Sequence, residues 1–166
     1  MAPRQETGEG TASLKSPSGR YIGAYEGRVK RIQRDIRPGH VNGKCPAHEI
    51  GSGSDRRLPP RVRGVIGNPA NEILVSAASV WEITSKARLG KLPGATEVAD
   101  DVPACIEAQG FVSLSITAQH AQRAGALADP HRDPFDRMLI VQAQAEGVPI
   151  ASGETIFDDY AVTRFW

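Results

Sequence analysis

From residue 58 onward, short apolar runs alternate with segments of helical apolar spacing, and this alternation is the strongest constraint on the fold. The strand-like runs are EILVSA, FVSLSI and VPIAS, with AVTRFW as a final short one. Helical spacing is clearest in SVWEITSKARLG, TAQHAQRAGAL and DPFDRMLIVQAQAEG. Because the apolar runs do not alternate with polar residues, they are typical of strands covered on both faces. The sequence therefore predicts an α/β domain over residues 58–166 with a central parallel sheet.

Residues that suit helix ends mark the boundaries of these segments. The prolines of PPRVRGVIGN suit a helix start. Thr117 is placed to cap one helix and Asp133 to cap the next, which Gly147 would end. The stretch TEVADDVPACIEAQG is predicted to be helical, but Pro103 weakens that prediction because proline lacks the amide hydrogen that a helix interior needs.

Residues 1–57 differ from the rest of the chain in composition and charge. They are rich in Gly, Ser and Pro and contain few large apolar side chains, which predicts a poorly structured segment. The first 66 residues carry 13 Lys and Arg against 6 Asp and Glu, whereas the remainder carries 7 against 13. Within this basic part, residues 24–37 have the apolar spacing of an amphipathic helix. A nucleic-acid contact and a solvated helix lying on the acidic domain both explain that spacing.

The sequence also bears on the compartment in which the protein works. It contains no apolar stretch long enough to predict a membrane span, and its N-terminus lacks the apolar core of a secretion signal. Cys45 and Cys105 form no CxxC motif, and two such cysteines in a chain without a signal predict reduced thiols. We therefore predict a cytoplasmic protein that does not contact a membrane.

Acidic residues fall where the predicted strands end and helices begin. Glu82 lies in the first turn of the helix after EILVSA, and Glu154 lies just past VPIAS. Asp133 and Asp136 lie at the start of the helix between them. Parallel α/β sheets place their sites at the carboxyl ends of the strands, so three segments deliver acids to one edge. Repelling carboxylates are tolerated around a hard divalent cation, which predicts a Mg²⁺ or Mn²⁺ site with an activated water.

Each of these acids also has a structural interpretation. Glu82 can complete a capping box, and Asp133 is an ordinary helix cap. Asp136 can interact with the helix dipole, and Glu154 can begin the turn before FDDY. The spacing alone supports both interpretations. The convergence of three segments favours a metal site formed by Glu82, Asp136 and Glu154.

The domain contains three stretches, VSAASVWEITSKARLGKL, HRDPFDRMLIVQAQAEG and ASGETIFDDY, that closely resemble the PIN-domain toxins of the VapC type. The resemblance covers about residues 58–166. It implies a three-layer α/β/α fold and a Mg²⁺- or Mn²⁺-dependent endoribonuclease of a type II toxin-antitoxin system. It also implies RNA as the substrate and a cognate antitoxin that occupies the active site, and it leaves a homodimer open.

The resemblance assigns roles to individual residues. By position, Glu82 matches the acid of the family's first helix, and Asp136 matches the aspartate that opens the later helix. Asp133 is the companion that would orient the metal's water. Glu154 stands where the family usually has aspartate, so its side chain is longer by one methylene. The RNA backbone would be held by Arg132 and Arg137, for which pairing with the adjacent aspartates is the alternative.

One part of the family pattern is not found. The family begins with an apolar strand that ends in an aspartate, a principal metal ligand. We expect this strand to end some 14 residues before RRLPP, but the chain there reads NGKCPAHEIGSGS, with neither an aspartate nor an apolar run. Residues 1–20 are therefore predicted to be loose and residues 21–57 to contain little strand. Two interpretations follow: an endoribonuclease impaired by this loss, or a catalytically inactive PIN remnant that binds an antitoxin.

Overall fold

The computed structural model describes residues 19–23, 59–92, 96–128 and 132–166. The predicted helix at 24–37 lies outside these ranges. In chain order the elements are β1 (Arg20–Gly23), α1 (Pro60–Ile66), β2 (Glu72–Ser76), α2 (Ala77–Arg88), α3 (Thr96–Asp100), α4 (Val102–Ala108), β3 (Val112–Leu114), α5 (Ala118–Ala126), α6 (Pro134–Glu146), β4 (Ile150–Ala151) and a 3₁₀ helix (Thr155–Tyr160).

The strands form one parallel sheet in the order β3-β2-β1-β4. β1 pairs with β2 along its whole length, and its Ile22 and Gly23 also pair with β4. The C-terminal segment continues the sheet beside β4, where the N–H of Ile150 donates to the carbonyl of Thr163 at 2.8 Å. Helices pack on both faces of this sheet. The predicted α/β/α fold with a central parallel sheet is confirmed.

The position of β1 overturns the prediction that a first strand is missing. β1 reads RYIG, and its large apolar residues, Tyr21 and Ile22, are only 3% and 0% exposed. The strand fills the centre of the sheet between β2 and β4. Two apolar residues are too few for a recognisable run, which is why the sequence does not reveal the strand. RYIG nevertheless contains no aspartate, so that part of the family pattern is still absent from the strand.

Successive strand residues point to opposite faces and so build separate cores. Ile22, Leu74 and Ile150 face α6 and the 3₁₀ helix, where they pack with Leu139, Ile140 and Phe157. On the other face, Tyr21 and Ile73 pack with residues of α1 and the C-terminal segment, and Val75 packs with residues of α2 and α4. Both faces of the central strands are therefore buried, as their uninterrupted apolar character predicts.

The predicted helix boundaries are confirmed where capping groups mark them. The hydroxyl of Thr117 accepts the N–H of His120 at 3.1 Å, and Nδ1 of His120 accepts the N–H of Thr117 at 3.3 Å. Asp133 caps α6 with its carboxylate. The doubt that Pro103 raised about one continuous helix is also confirmed, because this stretch forms two helices, α3 and α4, rather than one. The second of them, α4, is capped by the Asp101 carboxylate.

Gly147 ends α6 in the left-handed conformation, with φ 62° and ψ 36°. We expect Gly147→Ala to destabilise the protein by about 1–2 kcal/mol, because a left-handed backbone brings Cβ against the following carbonyl. The matched control is Gly125→Ala, inside α5 with no atom near the added methyl group. It should stabilise the protein by about 0.5–1 kcal/mol, since alanine favours the helix. Urea denaturation measures both, and equal effects of the two substitutions would contradict the prediction.

Two structural features concern the predicted compartment. Cys105 is buried in α4 and is disulfide-bonded, so the predicted reduced thiol is wrong at this position. The absence of a CxxC motif does not decide whether a single cysteine forms a disulfide. Among the described residues, none of the helices has both the length and the apolar character to cross a bilayer. The cytoplasmic location stays a prediction.

Candidate active site

The junction of β2 and α2 fixes the first acidic helix against α6. Ser76 ends β2 and caps α2, with its hydroxyl oxygen accepting the N–H of Ala78 at 3.0 Å. The same hydroxyl donates to Oε1 of Gln142 in α6 at 2.5 Å, and both side chains are buried. Gln142 in turn donates to the carbonyl of Ser115, just past β3. This buried network therefore ties the carboxyl ends of β2 and β3 to the middle of α6.

Glu82 lies on the buried side of α2, with only 2% of its surface exposed. Its Oε1 pairs with the ammonium group of Lys86, one helical turn later. Within the part of the chain that the structure describes, its Oε2 and the hydroxyl of Ser79 are buried and make no hydrogen bond. The capping-box interpretation of Glu82 is wrong, because α2 begins earlier, with Ser76 as its cap. An unsatisfied buried acceptor costs about 1–3 kcal/mol, so this carboxylate is suited to bind a cation or a donor.

Asp136 lies in the first turn of α6 and is 4% exposed. Burial raises the pKa of Asp136 to about 6, and the negative charge of Glu154 acts in the same direction. Both causes make the ionised carboxylate unfavourable. A bound cation would have the opposite effect on this group.

An aromatic contact brings the two acidic helices together. The rings of Trp81 and Phe135 meet edge to face, with their centroids 5.0 Å apart and an interplanar angle of 70°. Each ring belongs to the residue directly before an acid, Glu82 in α2 and Asp136 in α6. The contact therefore places the segments of α2 and α6 that carry these two acids next to each other.

Glu154 follows β4 and has an exposed side chain, while its N–H donates to the hydroxyl of Ser152 at 3.0 Å. Its charge reaches both Asp136 and Arg164. The pKa of Arg164 is raised mainly by its hydrogen bonds to Asp158, at 2.9 and 3.0 Å, and in smaller part by Glu154. Glu154 therefore lies within electrostatic reach of an acid on one side and of a guanidinium group on the other.

Across the described ranges, no group of three or more His, Cys, Asp or Glu side chains is arranged to hold a metal ion. The Trp81–Phe135 contact links the two helices that carry the buried acids Glu82 and Asp136. Glu154 is exposed and lies within electrostatic reach of Asp136. Mg²⁺ is commonly held by one or two carboxylates, with water and substrate phosphates as its other ligands. The two buried acids fit such an ion because both supply hard oxygen donors and Oε2 of Glu82 makes no hydrogen bond among the described residues.

Asp133 has the capping role that was one of its two interpretations. Its Oδ1 accepts the N–H of Phe135 at 2.8 Å and the N–H of Asp136 at 3.4 Å. Asp133 therefore fixes the first turn of α6, and with it the backbone of Asp136.

Arg137 contacts the end of the preceding helix, α5. Its guanidinium donates to three carbonyls at the end of α5, those of Ala124, Gly125 and Leu127, with the first at 2.9 Å from Nε. These contacts dock α6 onto α5, and the RNA contact of this side chain stays a prediction. Arg132 is exposed, so the predicted RNA contact rests mainly on it.

Comparison with known proteins decides the family. Residues 51–162 match the PIN domain. The chain belongs to the PIN domain family. Over 68 residues it is 38% identical to Ribonuclease VapC16 of Mycobacterium tuberculosis (strain ATCC 25618 / H37Rv), a stretch covering 41% of this chain and 48% of that relative. The chain therefore spans about half the length of the curated relative it matches. No solved structure shows a significant match to this chain.

The two arginines of this PIN domain should respond differently to substitution. We expect Arg137→Ala to lower the free energy of unfolding by about 1–3 kcal/mol, because carbonyls at the end of α5 lose a charged donor. Arg132→Ala should change it by less than about 0.5 kcal/mol, since the side chain is exposed. Arg132→Ala should instead weaken RNA binding and lower its salt slope by about one unit. Urea denaturation and RNA binding at several salt concentrations test both, and the reverse pattern would contradict the assignment.

Sequence reasoning missed four residues that shape the site of this PIN domain: Ser76, Lys86, Gln142 and Arg164. Two of them carry a recognisable signal. Gln142 directly follows the apolar run MLIV and precedes Ala143, and a polar residue in such surroundings needs a buried partner. Lys86 stands four residues after Glu82, the spacing of a helical ion pair. Ser76 and Arg164 act through contacts that only the folded chain reveals.

Proposed function

We propose that this PIN domain is a VapC-like, metal-dependent endoribonuclease of a type II toxin-antitoxin system, a hydrolase that cleaves RNA phosphodiester bonds. The observation that carries the proposal is the pair of buried acids, Glu82 and Asp136, on two helices joined by the Trp81–Phe135 contact. A buried carboxylate with a hydrogen-bond-free oxygen in a nuclease-like fold is suited to a divalent cation. The 38% identity to a ribonuclease over 68 residues supports the same reaction class.

Mg²⁺ or Mn²⁺ would be held by Glu82 and Asp136, with the exposed Glu154 adding its charge from beside them. When bound, the ion would supply Lewis-acid activation of water and neutralise charge on the phosphate. The proposed ligand set lacks the first-strand aspartate of the family pattern, because β1 contains none. Its affinity for the ion should therefore be weak.

The remaining residues would position these acids and the substrate. Lys86 holds one oxygen of Glu82 and leaves Oε2 for the ion. Both cap bonds of Asp133 use its Oδ1, so we assign its proposed water-orienting role to Oδ2. Arg132 would bind the RNA backbone through its charge, and Arg137, despite its contacts with α5, is the second candidate for that role.

Two partners follow from this proposal. RNA is the substrate, and a cognate antitoxin would cover the acidic site and block RNA from it. A homodimer is a further proposal that the resemblance leaves open. Because the substrate would be cellular RNA, we place the protein in the cytoplasm.

The direct test is cleavage of a structured RNA in the presence of Mg²⁺ or Mn²⁺. Wild type should cleave only with the ion, and EDTA should abolish the reaction. Glu82→Gln should reduce the rate at least about 100-fold, equivalent to about 3 kcal/mol of transition-state stabilisation. The matched control is Glu107→Gln, which makes the same change at an exposed position of α4 and should leave the rate unchanged. Absence of cleavage by wild type at high Mn²⁺, or equal cleavage by wild type and Glu82→Gln, would reject the ribonuclease assignment.

A second candidate is an inactive PIN remnant that binds an antitoxin. Two observations favour it: β1 has no aspartate, and no three-acid metal group is found in the described ranges. Gly23→Asp tests this candidate, because it supplies an acid at the end of the central strand and Gly23 does not need a positive φ. If wild type lacks cleavage and Gly23→Asp gains it, the remnant interpretation is correct for the natural chain. If wild type already cleaves, the remnant interpretation is rejected.

A further inference from the structure

Trp81 is 61% exposed, the largest value among the large apolar side chains of the described residues. Its edge-to-face contact with Phe135 orients the indole ring without burying it. A flat aromatic surface close to an acidic site is suited to a ligand with a flat ring.

We propose that Trp81 is a stacking platform for an unpaired RNA base next to the phosphate that is cleaved. This inference rests on the proposed function and adds a residue that positions the RNA, the side chain that would hold the base beside the cleaved phosphate. Trp81 directly precedes Glu82, and the ring it contacts directly precedes Asp136. A phosphate held at these two acids would place its neighbouring base within reach of the indole ring.

The charge around the indole ring fits the same ligand. Arg132 is exposed and lies three residues before Phe135, where it can contact the RNA backbone. An aromatic ring beside a basic group is the combination that single-stranded nucleic acids require. Bases inside an A-form duplex stack on one another and are not available to a protein ring. Stacking tolerates all four bases, so the platform would select unpaired RNA rather than a particular sequence.

The test measures RNA binding by the full chain with EDTA present, so that no cleavage occurs. A labelled single-stranded RNA and the same strand annealed to its complement are the probes. Trp81→Ala should weaken single-strand binding at least about 10-fold, and Trp81→Phe should stay within about 3-fold of wild type. Duplex binding should not change. The matched control is Leu89→Ala, which removes another exposed apolar side chain just after α2 and should have no effect.

Further measurements separate the alternatives. Circular dichroism verifies that Trp81→Ala is folded, and Trp81→Phe keeps the test valid if it is not, because Phe retains a ring that can stack. Sedimentation tests the other occupant, a second copy of the chain. A dimer that Trp81→Ala converts to a monomer, with single-strand binding unchanged, would overturn the proposal. Equal single-strand binding by wild type and folded Trp81→Ala would do the same.

The same data distinguish this inference from the proposed function. If the wild type binds single strands through Trp81 but does not cleave RNA with Mn²⁺, the stacking role of Trp81 is supported and the ribonuclease assignment is rejected. If the wild type cleaves RNA and Trp81→Ala binds and cleaves equally well, the platform alone fails.

Discussion

Asp136→Asn should make the metal-free protein more stable at pH 7 and at the same time abolish RNA cleavage. The pKa of Asp136 is raised from 3.8 to about 6, mainly by burial and further by the charge of Glu154. A shift of this size means that the ionised carboxylate lowers the free energy of unfolding by about 3 kcal/mol above pH 6. The amide of asparagine has the same shape without the charge, so the substitution removes this cost. Cleavage is lost because the amide is a poor ligand for the ion.

The pH dependence of this effect has a defined sign. Between pH 3.8 and about 6, folded Asp136 retains a proton that the unfolded chain has already released. The free energy of unfolding therefore falls as the pH rises through this window, and the contribution is constant above it. Urea denaturation in EDTA at pH 4 and pH 7 should show that Asp136→Asn removes this fall. Asp159→Asn, at an exposed position, is the matched control. Equal stability of Asp136→Asn and wild type at pH 7 would contradict the prediction.

Adding Mn²⁺ should reduce the difference in stability between wild type and Asp136→Asn. An ion that binds only the folded state stabilises it according to its concentration and affinity. We expect millimolar Mn²⁺ to raise the urea midpoint of wild type and to leave that of Asp136→Asn unchanged. Calorimetry should likewise show weak Mn²⁺ binding that the variant lacks. The same midpoint shift in both proteins would place the ion elsewhere.

Ile22→Ala should cost about 2–5 kcal/mol, a large part of the roughly 5–15 kcal/mol that stabilises a domain. Ile22 is fully buried in β1, pairs with Leu74 and Ile150, and packs against α6. Truncation to alanine leaves a cavity between the sheet and that helix. A chain lacking residues 1–23 should not fold at all, because β2 and β4 would lose the strand that joins them.

The control for this prediction lies in the same strand. Arg20 pairs with Glu72 at 2.6 Å and with Glu146 at 3.2 Å, but all three side chains are partly exposed. Arg20→Ala should therefore cost less than about 1 kcal/mol. Urea denaturation compares the two variants. If Ile22→Ala is no more destabilising than Arg20→Ala, β1 does not contribute to the core, and the prediction of a strandless N-terminal segment is correct.

The contrast between β1 and the other elements explains how much of the fold could be predicted. β2, α2 and α6 follow from local apolar spacing, because each buries enough of its own residues to leave a pattern. β1 has only Tyr21 and Ile22, and what makes it a strand is the space between β2 and β4, elements far away along the chain. Local patterns cannot report a strand whose stability comes almost entirely from its neighbours.

The site shows the same limit. Apolar spacing predicted the helices that carry Glu82 and Asp136, and these two helices are in contact. The predicted start of α2 was wrong, because this helix begins after Ser76 and Glu82 lies beyond its first turn. The exposure of Glu154 and the orientation of Arg137 depend on loops and on the end of α5, which leave no local pattern. Arg137 donates to the carbonyl of Ala124, and this contact between α6 and α5 forms only in the folded chain.

The central place of β1 also governs when the site can be assembled during synthesis. The strand leaves the ribosome early, but its partner Ile150 follows almost at the end of the chain. At about 5–20 residues per second, roughly ten seconds separate the two. Pairing across such a long stretch of chain is slow, and it cannot begin before the last strand has emerged. The nascent chain would therefore hold its acidic helices without a completed sheet until β4 has emerged.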